Sequence, residues 1–302
     1  MLLHVFVLLS GLLNLNHFAS TFYILDKELD TITEVKIDTI PEIFAEGVIS
    51  IQGRYEFGCT LSKDGKEIYF GVERGNRAEI LYSSFDGQSW SNPEIILSDS
   101  VYGLNDPMLT PNENRLYFIT TLHHRDDPTR NDHDIYYVEK KAGGWSDPIP
   151  ENENINTTGN EYFISFTKEG DMYFSSDRAT GQYSYGNFEI YKSEYRKKEY
   201  QKPLKLPKEI NTDQYEADVF ISPDESYVIF CSTRDDGYGR GDLYISFHDG
   251  YGNWTLAQNM GPTINNKFHQ LCPFVSADGK RFYYTSNQDI MVVDASILDR
   301  YR

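Results

Sequence analysis

From residue 21 to residue 302 the apolar positions come in short alternating runs and never hold a 3.6-residue period, which predicts strands rather than helices. A turn signal punctuates these runs: Ser62-Lys-Asp-Gly65, Thr110-Pro-Asn-Glu113, Thr167-Lys-Glu-Gly170, Ser222-Pro-Asp-Glu225 and Ser276-Ala-Asp-Gly279. It recurs about every 50 residues, a period expected of propellers and other repeat folds. An alternating aromatic strand follows each turn, as in Ile68-Tyr-Phe70, Leu116-Tyr-Phe118, Met172-Tyr-Phe174, Val228-Ile-Phe230 and Phe282-Tyr-Tyr284. After a variable loop, an acidic residue opens a further strand at Glu79, Asp134, Glu189, Asp242 and Asp289. Three copies then carry Trp90, Trp145 or Trp254, and Ile155-Asn-Thr157, Ile210-Asn-Thr212 and Ile264-Asn-Asn266 lead into the next copy.

Each copy therefore reads as four strands: A before the turn, B after it, C after the variable loop and D beyond the Trp. Such a sheet is apolar on both faces and must stack on its neighbours, and radial stacking makes a β-propeller. No polar capping repeat marks either end, which argues against a linear solenoid. The last copy stops after strand C near Val293-Asp294, while Pro41-Glu-Ile-Phe44 resembles the first copy's strand D, Pro93-Glu-Ile-Ile96. The expectation is an all-β chain with one propeller of five four-stranded blades, closed by an N-terminal strand that removes the open edge. Strands drawn from residues 22–40 leave six blades as the alternative. The expected layout is a signal peptide over 1–20 and a propeller domain over 21–302, with repeats near 41–97, 98–149, 150–206, 207–260 and 261–302.

The S-x-D-G turn, the Ile-Tyr-Phe strand, the Arg-containing loop and the Asp-Ile-Tyr strand resemble the WD40-like (TolB-type, PD40) propeller repeat. The stretch from Ser232 to Tyr244, STRDDGYGRGDLY, carries the resemblance best, and it is similar to repeats in envelope proteins of Bacteroidetes-type bacteria. The resemblance spans residues 41–294 and implies fold rather than role, because this repeat serves many roles. No stretch matches a TolB N-terminal domain or an OmpA-like peptidoglycan-binding domain, so those activities are not implied.

Composition narrows the partners. With 46 acidic and 28 basic residues the net charge is −18, and no basic stripe offsets it, so nucleic acid is excluded as a partner. The segment MLLHVFVLLSGLLNLNHFAS is apolar to about Leu15 and then polar, as in a secretory signal peptide, although it has no Lys or Arg. A periplasmic or secreted monomer is expected, not an integral membrane protein. Cys59, Cys231 and Cys272 all fall in predicted strands and provide no disulfide framework. Buried packing is their expected role, with a Cys59–Cys272 bond as the alternative.

Candidate chemistry sits where the strand-A entries and B–C loops meet at one mouth of the channel. Its acids are Glu56, Asp106, Glu161, Glu216 and Asp218, with His269 and Gln270 beside them. No cofactor is expected. Ca²⁺ on these acids is the alternative to hydrogen bonding with a neighbouring blade. The loop arginines and strand-C acids recur as Arg74/Glu79, Arg178/Glu189 and Arg234/Asp242, and read as structural pairs. Residues not shared by every repeat are the better binding candidates: His123, His124, Arg125, Asp126, His133, Tyr183, Tyr185, Tyr238, Arg240 and His269, with Tyr251 as a further rim aromatic. The histidines with Asp126 or Asp132 also resemble loose transition-metal donors. A binding or scaffolding propeller for an envelope or secreted protein, or for a glycan, is the expected function. The alternative is a glycan-active enzyme, a glycoside hydrolase or polysaccharide lyase-like protein, with its site at the channel mouth. No G-x-S-x-G elbow, P-loop or CxxC is present, and no one carboxylate is marked as acid or nucleophile.

Overall fold

A computed structural model describes residues 21–24, 33–36, 39–122, 129, 130, 132–179 and 188–302. Five four-stranded antiparallel blades stand in a ring. Blade 1 runs Glu56–Leu61, Glu67–Arg74, Arg77–Ser84 and Glu94–Leu97 from the channel outward. Blade 2 runs Leu104–Leu109, Arg115–Thr120 and Asp134–Lys141, its outer edge split between Gly144–Trp145 and Ile149–Pro150. Blade 3 comprises Glu161–Phe166, Met172–Ser176, Glu189–Ser193 and Leu204–Lys205. Blade 4 comprises Glu216–Ile221, Tyr227–Ser232, Asp242–Phe247 and Gln258–Asn259. Blade 5 takes Gln270–Val275, Arg281–Ser286 and Asp289–Asp294 from the C-terminal end and Glu42–Ile43 from the N-terminal end. The short strands Thr21–Ile24 and Thr33–Lys36 pair with each other, not with a blade, so no sixth blade forms among the described residues. No helix among these residues is long and apolar enough to cross a membrane.

The aromatic strand B is buried on both faces because a neighbouring blade covers each, and Ile68, Phe70, Phe118, Phe174, Phe230 and Phe282 are fully buried. The N-terminal segment supplies the outer strand of blade 5 as expected, with Met291 opposite Ile43 and Val292 opposite Glu42. The Phe44 ring then packs edge-on against Tyr283 and Trp90, at 5.1 and 5.6 Å, and so joins blade 5 to blade 1. All three cysteines are free and buried.

The Ile-Asn-Thr segments work as clamps between successive blades. Asn211 Oδ1 accepts from the Ile190 backbone N–H at 2.7 Å while its Nδ2 donates to the Ile190 and Leu206 carbonyls. Asn156 does the same on Ile135, and Asn265 on Leu243. At the closure Ser50 stands in this role, exchanging hydrogen bonds with the Ile290 backbone. Closure thus uses residues 49–51 as well as the added strand.

Candidate functional site

The strand that faces the channel opens with Glu56, Glu161 and Glu216 in blades 1, 3 and 4, and all three are fully buried. The geometry repeats. Glu161 accepts from the Thr157 N–H (3.0 Å), the Thr157 hydroxyl (2.8 Å), the Ser176 hydroxyl (2.9 Å) and Arg178 (3.2 Å). Glu216 accepts likewise from Thr212, Ser232 and Arg234. Each guanidinium also donates to the carbonyl of the clamp isoleucine, Arg178 to Ile155 and Arg234 to Ile210, and lies over the rings of strands B and C. Arg54 holds Glu56 and donates to Ile49 in the same manner. Burial still pushes the Glu161 carboxyl up to about 7 against the pull of Arg178.

Two expectations change here. Glu56, Glu161 and Glu216 do not line the channel-mouth cleft; each is buried against an arginine, with a clamp threonine beside Glu161 and Glu216 and the Ile51 N–H beside Glu56. Arg178 and Arg234 pair with these strand-A acids rather than with Glu189 and Asp242. Arg74 keeps its expected partner Glu79, at 3.4 Å and half exposed.

One residue row does face the channel, and it lies four positions before each turn signal: Gly58, Asp106, Phe163, Asp218 and Cys272. All five have positive φ, between 42° and 54°. The A–B ladder slips register at this point in every blade. A β-bulge bends the strand and re-aims its side chain, here toward the axis. The row converges tightly, for a Cβ on Gly58 would lie 2.6 Å from Asp106 Oδ1. Asp106 Oδ1 in turn accepts from the Cys272 thiol at 3.5 Å.

Above this row opens a cleft of about 660 Å³, walled by Tyr55, Phe57, Tyr102, Tyr162 and Tyr215 and floored by Asp106 and Asp218. Desolvation lifts the Asp106 carboxyl to about 6. It lifts Asp218 to about 8, with the charge of Asp106 adding to the effect. Burial, and then the charge of Arg240, lowers His269 below the usual imidazole value. Burial thus raises the proton affinity of both carboxyls at the cleft floor and lowers that of the imidazole beside them.

The binding candidates divide. His133 and His269 both line the cleft. His133 Nδ1 lies 2.9 Å from the Tyr162 hydroxyl and 3.2 Å from Asn160 Oδ1. Arg240 borders an adjoining hollow with Lys267 and Phe268, and Tyr238 is exposed on the same loop. Tyr251 is exposed but sits in the C–D turn, and so at the opposite end of the blade from the B–C loops. His123, His124, Arg125, Asp126, Tyr183 and Tyr185 lie outside the described residues. The aromatic wall was not anticipated. Its signal is an aromatic just before the strand-A glutamate, Tyr55 and Tyr215, or just after it, Phe57 and Tyr162, each pair at matching places in two repeats. The other channel mouth, among the A–B turns, holds a more apolar cavity of about 620 Å³ lined by Met108, Phe166, Phe220 and Phe274.

No family model matches the sequence, and no curated protein does. Among solved structures the chain is similar to TolB from Acinetobacter baumannii, at 15% identity over 91% of this chain, with a TM-score of 0.49. It spans 59% of that protein's length. A structure assigned as TolB from Agrobacterium tumefaciens aligns at 15% identity over 83% of this chain and 79% of that one, TM-score 0.51. The catalytic domain of the Coprinopsis cinerea GH62 alpha-L-arabinofuranosidase aligns at 12% identity over 85% and 97%, TM-score 0.53. At such identities the likeness is one of architecture: the chain is a β-propeller, here of five blades, and the propeller architecture is what it shares with TolB-type proteins.

Proposed function

We propose that the protein is an exported binding propeller that seats a neutral glycan in the aromatic cleft at the channel mouth. The observation that carries this is the wall of Tyr55, Phe57, Tyr102, Tyr162 and Tyr215 around a concave opening. Rings of this kind stack on sugar faces, and polar tips beside them orient hydroxyl groups. The net charge of −18 favours neutral or cationic ligands over anionic ones. Export rests on the apolar leader-like segment, and N-terminal sequencing of periplasmic or secreted material tests it. Isothermal titration against a panel of neutral oligosaccharides tests the site. Tyr102→Ala should weaken binding about tenfold with the thermal midpoint little changed. A folded wild-type protein that binds none of the panel ends the proposal.

A hydrolase reading is favoured by one observation, the interacting carboxyls of Asp106 and Asp218 with elevated proton affinities. Glycoside hydrolysis uses a carboxyl pair of unequal proton affinity. Release of reducing sugar that disappears in Asp106→Asn would favour it. Tight binding without turnover would favour the binding propeller.

A further inference from the structure

Beside the cleft floor three unlike donors converge from adjacent blades. Asp218 comes from the bulge of blade 4, Cys231 from the paired strand B, and His269 from the entry to blade 5. One ligand atom from each lies within 4.8 Å of the other two. His269 Nε2 is 3.2 Å from Cys231 Sγ. We propose that Asp218, Cys231 and His269 form a binding site for one borderline-soft divalent transition-metal ion of the Zn²⁺ class.

Donor chemistry selects the ion. A thiolate and an imidazole suit Zn²⁺ or Co²⁺, whereas Ca²⁺ and Mg²⁺ require oxygen ligands. Ligand atoms around a tetrahedral Zn²⁺ stand roughly 3–4 Å apart, given metal–ligand distances of about 2.0–2.3 Å, so the convergence needs little contraction.

Two independent features show a built site. Gly241 makes room for it, since a Cβ there would lie 2.5 Å from the His269 ring and 2.9 Å from Cys231 Sγ. Its backbone is held by a parallel bridge to His269 and by the Gln270 N–H on its carbonyl. Asp218, held at a φ of 52°, accepts no hydrogen bond among the described residues and borders the open cleft. A strained, half-buried carboxyl without a donor is a costly arrangement that a cation would relieve. On binding, Cys231 gives up its S–H proton and Asp218 the proton its carboxyl holds; the freed sulfur and oxygen pairs form the bonds to the metal, and the protons leave to solvent. Three protein ligands leave one position of a tetrahedral ion for water or for a ligand in the cleft. The site stands independently of the glycan reading, because it is defined by its donors alone.

The test uses the full chain, stripped with a chelator and titrated with Co²⁺ under reducing conditions. The expected result is saturation at one equivalent, with a thiolate-to-cobalt charge-transfer band that added Zn²⁺ abolishes. Cys231→Ser should remove the band, while Asp218→Asn and His269→Gln keep the thiol and lower the affinity about tenfold or more. Circular dichroism confirms that each variant is folded. Should Cys231→Ser fail to fold, the other two variants decide. A folded wild type without the band, a band undiminished in folded Cys231→Ser, or unchanged affinity in both other variants overturns the site.

Discussion

A single buried carboxylate shows how the repeat is held together. Glu216 is fully buried, and its charge is tolerated because Arg234, Thr212 and Ser232 all donate to it. Removing the guanidinium leaves an uncompensated buried charge, which costs more than the pair itself contributes. Arg234→Ala should lower unfolding free energy by about 3–5 kcal/mol in urea titration. Arg74→Ala removes a half-exposed partner of Glu79, and should cost no more than about 1 kcal/mol. Equal losses at the two positions would contradict the division into brace and surface pair. Recurrence of Arg in the B–C loop was legible in the sequence and pointed correctly to structural pairing. Its partner was not legible, because Glu161 and Glu189 are equally acidic and only folding sets which one lies beneath the guanidinium.

At the scale of an element, the S-x-D-G turn is the best-read feature. Gly65, Gly170 and Gly279 occupy its left-handed position at φ values of 68°, 92° and 69°. Where Glu replaces Gly, at Glu113 and Glu225, the side chain reaches the preceding blade. Glu113 accepts from the Lys63 N–H, and Glu225 accepts from the Tyr173 hydroxyl. The turn aspartates carry a pH signature. The Ser62 hydroxyl, then the Lys66 N–H, hold Asp64 below its ordinary value of 3.8, and the Ser276 hydroxyl does the same for Asp278. The unfolded chain regains the ordinary value and so binds more protons near that pH. The stability these groups contribute is present above about pH 4 and lost as the pH falls through their folded values. Asp64→Asn should leave stability at pH 7 nearly unchanged and flatten part of the loss below pH 4, read as thermal midpoint against pH. Asn112 already fills this place in blade 2, accepting from Thr110 and Asn114. A steeper acid loss in the variant would refute the reading.

For the whole molecule, closure is the decisive element. Glu42–Ile43 covers the edge of Asp289–Asp294, and an uncovered edge strand is a template for pairing with another chain. A chain beginning at Gly47 should melt at lower temperature and self-associate on size exclusion, whereas one beginning at Thr39 should not. Matching midpoints and a monomeric peak for both would show that the Ile49–Ser50 clamp suffices to close the ring.

The sequence by itself determined the strand-turn period, the five repeats and the N-terminal closing strand, because each is written in local alternation and in turn chemistry, and left a sixth blade open until the structure paired Thr21–Ile24 with Thr33–Lys36 alone. Those patterns arise from backbone sterics and from burial on two faces, which act within a few residues. Tertiary structure alone decided which polar residues meet. Gly58, Asp106, Phe163, Asp218 and Cys272 have no one residue type in common, yet the same bulge in each blade turns all five positions to the axis. Asp218, Cys231 and His269 become neighbours only because adjacent blades bring separate strands together. The same packing withdrew Glu56, Glu161 and Glu216 from the channel mouth. Each is held inside the blade by an arginine that only the folded chain sets beside it.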